Sequence, residues 1–226
     1  MRQNLKIIFT IEFKSKWHTG SGDGNLSIDK LVRRDARNWP FIPGSTLKGI
    51  IRENCEKLSQ TLGFAKPSDP HQTDLKIEDR FYSLEKQASP VDCIFGNKYE
   101  SDCLFFRDAR LENKPYKYSK NQSRICKYRT LGTSKEKHLF TSEYTIPMIF
   151  KTQINAYHKN LLAFPDELPY AYCILVAGIM KTKRIGGDKS TGSGHVDIQI
   201  DSILYNGKNY EKEKIFDLLD YELYKD

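Results

Sequence analysis

From residue 5 to residue 13 the chain places an apolar side chain at every second position: Leu5, Ile7, Phe9, Ile11 and Phe13. Lys6, Thr10, Glu12 and Lys14 occupy alternate positions. A period of two belongs to a strand, and it buries one face only. The chain must therefore build a sheet with at least one covered face.

The rest of the chain supplies partners for that strand. Pro43-Gly44-Ser45 reads as a helix start with Ser45 as N-cap, and Leu47, Ile50, Ile51, Cys55, Leu58 and Leu62 follow at helical spacing. Cys103, Phe105, Arg107 and Ala109 alternate with Leu104, Phe106 and Asp108, which predicts a second strand. A third is expected near Thr145 to Tyr157, bent at Pro147, then a helix over Glu167 to Met180. In a fourth strand Val196, Ile198 and Ile200 face inward. Asn206-Gly207 signals a tight turn, and residues 211–224 read as a terminal helix. The order strand, helix, strand, strand, helix, strand predicts an α+β, ferredoxin-like fold, the plan that RNA-recognition domains also use. Residues 1–226 read as one domain, with a polar excursion at about 63–92 and a basic insertion at about 113–140.

At 226 residues such a chain buries about 70% of its surface and needs no disulfide staples. Five cysteines without a Cys-x-x-Cys pair read as reduced thiols in a cytoplasmic protein. The longest apolar run, Ala171 to Met180, is too short to span a bilayer. The five histidines make no zinc-like spacing with the cysteines, so a structural metal is not expected. The net charge of +7 favours an anionic partner.

Charge is concentrated. Residues 113–138 hold Lys114, Lys117, Lys120, Arg124, Lys127, Arg129, Lys135 and Lys137 against Glu136 alone, and Tyr116, Tyr118 and Tyr128 lie among them. Lys30, Arg33, Arg34 and Arg37 face one acid, Asp35. Bases interleaved with aromatics suit single-stranded nucleic acid, through phosphate contacts and stacking. The start of the first helix, with Ser45, Thr46, Lys48 and Arg52, offers unpaired N–H groups and positive charge to an anion. The loop at 186–194 carries Gly186, Gly187, Lys189, Ser190, Gly192 and Gly194. Its backbone amides could converge on a phosphate, or the loop could simply join helix to strand. His18 and His195 flank glycine-rich loops, and His18 is a candidate general base.

Taken together these stretches resemble the RAMP superfamily, RNA-binding subunits of type III CRISPR–Cas effector complexes, and are most similar to the backbone subunit of Csm-type and Cmr-type complexes. Four signatures carry the resemblance: His18-Thr19-Gly20-Ser21-Gly22; Ile28-Asp29-Lys30-Leu31-Val32-Arg33-Arg34-Asp35 with Pro40 to Arg52; Ile94-Phe95-Gly96 with Phe106-Arg107-Asp108-Ala109; and Ile185 to Gly194.

The resemblance implies a modified ferredoxin-like domain with an inserted thumb hairpin, here the basic segment. It implies self-association as a filament along a guide CRISPR RNA, and partners in target single-stranded RNA and other type III subunits, with no membrane. It assigns target-RNA cleavage to Asp29, dependent on a divalent metal, magnesium or manganese, with Asp29 as a possible ligand. RNA contacts fall to His18, Gly20, Arg33, Arg34, Ser45, Thr46, Lys48, Arg52, Lys127, Arg129, Gly186, Gly187, Lys189, Ser190, Gly192 and Gly194. Lys30-Leu31 departs from the family's small residue and proline after the aspartate. A non-catalytic RNA-binding paralogue and a standalone guide-processing nuclease are the alternative readings.

Overall fold

The computed structural model describes residues 2–64, 66–68, 89–97, 101–115, 118–159, 161, 163 and 167–219. The excursion expected at about 63–92 lies mostly outside these residues, as does the end of the expected terminal helix.

The first strand, β1 (Arg2–Phe13), is central. It pairs antiparallel with β5 (Ile149–Lys159) on one side and β6 (Val196–Tyr205) on the other. A short β2 (Leu104–Phe106) extends the sheet beyond β5, and β7 (Lys208–Asn209) lies beyond β6. Reduced to its four longest-range members, the order β2-β5-β1-β6 is that of the expected ferredoxin-like sheet. Helices α1 (Gly44–Thr61), α2 (Pro90–Phe95) and α3 (Tyr170–Lys181) pack on one face, and α4 (Lys212–Asp217) follows β7.

Periodicity explains the covered face. Leu5, Ile7, Phe9, Ile11 and Phe13 are all buried, against Leu47, Ile51 and Cys55 of α1 and nearly the whole of α3. Burial raises the thiol pKa of Cys173 to about 12 and that of Cys55 further, so both remain protonated core residues. Gly178 lets the two helices meet: a β-carbon there would stand 2.4 Å from the Cys55 sulfur. A register shift in β6 opposite Ile8 and Phe9 hands the inward role from Ile198 and Ile200 to Ile203 and Tyr205.

Three expectations are corrected. Ser45 does not cap α1; Pro43 occupies the N-cap without a side-chain bond, and the Asp108 carboxylate accepts the Gly44 N–H at 3.0 Å instead. The second strand, expected over residues 103–109, is confined to residues 104–106, with Leu104 facing inward. The third strand does not bend through Pro147; the chain breaks there, separating β5 from β4 (Ser134–Thr145). With β3 (Ser119–Lys127), β4 forms a separate two-stranded hairpin within the basic segment.

Candidate functional site

The segment from residue 18 to residue 34 folds back on itself. Arg33 N–H donates to Thr19 O at 2.8 Å and Ser21 N–H to Leu31 O at 3.0 Å, while Asn25 Oδ1 caps the turn by accepting from Ser27 and Ile28. The returning limb then docks on β4. Asp29 N–H donates to Thr141 O at 2.8 Å, and Glu143 N–H to Lys30 O at 2.9 Å. Glu143 fixes this arrangement. Its carboxylate, 5% exposed, accepts the Val32 N–H at 3.0 Å and pairs with the Arg34 guanidinium. Removing Arg34 would leave a buried carboxylate without its counter-charge.

Asp29 sits where that limb meets the hairpin. Its Oδ2 accepts the Thr141 N–H at 2.7 Å, and the residue is exposed. Oδ1 has no hydrogen-bond partner among the described residues. A cleft of about 440 Å³ opens beside it, lined also by His18, Gly20, Lys30, Gly187 and Asp188. His18 Nδ1–H donates to the Glu143 carbonyl at 2.7 Å, so in the neutral ring Nε2 carries the lone pair. His18 is otherwise enclosed: its ring meets Tyr144 edge-on, and its carbonyl accepts the Gly187 N–H at 2.8 Å.

The glycine-rich loop reaches the cleft through Gly187 and Asp188. Gly186 has φ +95, and a β-carbon there would stand 2.5 Å from the His18 carbonyl. Gly194 has φ +74, and its β-carbon would lie 2.1 Å from Ile185 O. The N–H groups of Gly187, Thr191, Ser193 and Gly194 all donate within the chain. These glycines thus serve close intramolecular approach, while Ser190 and Gly192 are exposed and Lys189 is half-buried in the turn. Asp188 is itself anchored: it accepts from Tyr144 Oη at 2.5 Å and pairs with Arg124 at 3.4 Å. The tyrosine's hydrogen bond, then the arginine's charge, hold the Asp188 carboxyl below its usual range. Burial and the same aspartate push Tyr144 up to about 12.

The expected RNA contacts therefore divide. His18, Gly20 and Gly187 join Asp29 at the cleft, whereas Gly186, Lys189, Ser190, Gly192 and Gly194 share the loop of Gly187 but are not among the lining residues. Arg33 is exposed next to it, reaching Ser21 O at 3.3 Å, but Arg34 is engaged by Glu143 and lies over the Tyr118 ring. Ser45, Thr46, Lys48 and Arg52 lie on α1 and line no part of this cleft. Lys48 pairs with Asp102, and Arg52 with Glu56 at 2.8 Å. Lys127 and Arg129 are exposed at the far end of the hairpin, beside exposed Tyr128 and Leu131. Thr141, Glu143, Tyr144 and Asp188 carry no signal in the sequence beyond the place of Asp188 in the stretch Ile185 to Gly194.

Among the described residues no three His, Cys, Asp or Glu side chains converge as a metal cage. The donor set that fits a divalent ion is the outer Asp29 oxygen completed by phosphate and water oxygens, all of them hard ligands.

A family model for the RAMP superfamily matches residues 10–197, which contain the cleft, the hairpin and the glycine-rich loop. No curated protein matches the chain.

Proposed function

The chain belongs to the RAMP superfamily, whose members have a CRISPR-associated RNA-binding role, and from that premise we propose a guide-RNA-binding backbone subunit of a type III interference complex that cleaves guide-paired target RNA. The observation that carries this reading is Asp29: an exposed carboxylate held through one oxygen at the foot of a basic hairpin, leaving the other oxygen for chemistry at the cleft.

In this reading the target supplies its own nucleophile. The 2′-hydroxyl attacks the adjacent phosphorus, an O2′–P bond forms, and the P–O5′ bond breaks. The products are a 2′,3′-cyclic phosphate and a 5′-hydroxyl. Asp29 Oδ1 orients the 2′-hydroxyl or takes its proton, and water protonates the departing O5′. The hairpin displaces one nucleotide so that attack and departure lie in line, and such positioning can supply several kcal/mol of a barrier, on the order of 7–11 at most. A divalent ion bound at Asp29, magnesium or manganese, would supply charge neutralisation at the phosphate. Lys30, which lines the cleft, and Arg33, exposed and bonded to the carbonyl of Ser21 between the lining residues Gly20 and Gly22, would hold the scissile strand. A cytoplasmic filament along the guide, assembled with other type III subunits, completes the proposal.

A second reading, a non-catalytic paralogue in the same kind of complex, draws on the same hydrogen bond: fastening β4 to the 18–34 segment is a structural task for Asp29. The first test is RNA content. The purified full chain should retain short RNA that dissociates with salt, and co-expression with type III CRISPR subunits and a repeat array should load it with repeat-derived guide. A chain free of RNA under both conditions would exclude the proposal.

A further inference from the structure

Among the described residues the face of the sheet away from the helices is largely uncovered, and part of it has the makings of a site. Phe105 of β2 and Tyr157 of β5 both project there and are 55% and 52% exposed. Their ring centroids lie 6.1 Å apart with planes at 54°. Large rings exposed side by side on a sheet keep their flat faces available to a stacking partner.

The surroundings are basic and amide-bearing. Asn155 is the direct cross-strand partner of both Phe105 and Lys6. Gln153 donates to Asn155 Oδ1 at 3.4 Å and also lines a trough of about 660 Å³, to which exposed Arg107 contributes. Lys6 and Arg107 have no ion-pair partner among the described residues. Aromatic platform, amide and unpaired cations follow one another along the open face.

We propose that this face is a second contact for single-stranded RNA, separate from the cleft, in which two bases stack on Phe105 and Tyr157 while Lys6 and Arg107 meet the phosphates. The inference rests on the RNA-binding role of the chain but not on cleavage at Asp29. An antiparallel sheet of this topology can offer a stacking surface on the face its helices leave free. Recognition by stacking tolerates any base, with Asn155 and Gln153 available to base edges.

The test uses the full chain and thiouridine-containing oligouridine. Photo-crosslinking should map to Phe105 or Tyr157 peptides as well as to the cleft or hairpin. The double variant Phe105→Ala/Tyr157→Ala should weaken binding roughly tenfold or more, as loss of base stacking does elsewhere, with the melting temperature retained because both rings are exposed. Arg107→Glu should weaken it independently. Crosslinks confined to the cleft and hairpin, with affinity unchanged in both variants, would overturn this site while leaving the proposed function standing. Absence of RNA binding by the wild-type chain would overturn both. A change in oligomeric state of the variants with RNA affinity unchanged would overturn it in favour of a protein interface.

Discussion

Asp108 secures the first turn of α1 from outside the helix, its Oδ1 accepting the Gly44 N–H at 3.0 Å. The two belong to stretches 64 residues apart, and their contact joins the end of β2 to the helix start. Gly44 permits it: a β-carbon there would stand 2.4 Å from the Phe106 carbonyl. Asp108→Ala should destabilise the protein by about 1 kcal/mol, as loss of a capping acceptor does. Gly44→Ala should cost more, about 1–3 kcal/mol through overpacking, despite alanine's better helix propensity. Denaturant unfolding of both variants checks the order.

The glycine-rich loop predicts unequal sensitivity. Gly192 has φ +86 but faces open space, so Gly192→Ala should cost about 1 kcal/mol of backbone strain. Gly194→Ala carries similar strain and meets the Ile185 backbone as well, so it should be the more damaging. Gly187→Ala, with nothing nearer than 3.7 Å and no positive φ, should be tolerated. Thermal melts should place Gly194→Ala lowest, Gly192→Ala next and Gly187→Ala near the wild type.

His158 predicts an acid limb in stability. It is buried between α2 and α3, with Nε2–H donating to the Ile94 carbonyl at 3.2 Å and Nδ1 lying 2.8 Å from the Tyr172 hydroxyl, whose single proton is shared between that nitrogen and the Gln3 carbonyl at 3.1 Å. Burial lowers its pKa below the ordinary 6.5, so the folded state favours the neutral ring. Between the folded and unfolded pKa values the unfolded chain binds more protons, so stability falls as pH drops below about 6.5 and its contribution is fully present above. Unfolding free energy measured from pH 8 downward should show this slope, and His158→Gln should flatten it.

Periodicity made β1, α1, α3 and β6 legible, because each has one apolar face against the core. The hairpin was not legible as strands, since β3 and the outer part of β4 are polar or exposed on both faces and leave no pattern of burial. The basic charge of the segment could be read, but not its pairing. The cleft's fastenings were hidden for another reason. Glu143 reaches Val32 and Arg34 across 111 and 109 residues, and a buried acid with distant partners looks in sequence like any surface acid. Asp35 was easier. Set among Arg33, Arg34 and Arg37, it invites a pairing with a neighbouring arginine such as Arg33 or Arg37, and Arg37 is that partner at 3.1 Å; the second partner, Arg110 at 3.2 Å, comes from 75 residues away.

The hairpin should dominate the salt dependence of RNA affinity. Lys127 and Arg129 are exposed and make no ion pair among the described residues. Neutralising both should weaken binding of unrelated RNAs alike and reduce the slope of log affinity against log salt by about 1–2. Filter binding across a salt series measures this directly; sequence-selective loss would contradict it.

Asp29 decides the central claim. Single-turnover cleavage of a guide-complementary RNA by the assembled complex, with and without magnesium, should fall on the order of 100-fold or more in Asp29→Ala, with target affinity retained. Asp35→Ala is the control, because that carboxylate is engaged by Arg37, Arg110 and the Trp39 N–H and should lower stability or assembly before it touches the chemistry. Wild-type cleavage by the Asp29→Ala complex would contradict the catalytic assignment, and absence of cleavage by the wild-type complex under every metal condition would favour the non-catalytic paralogue.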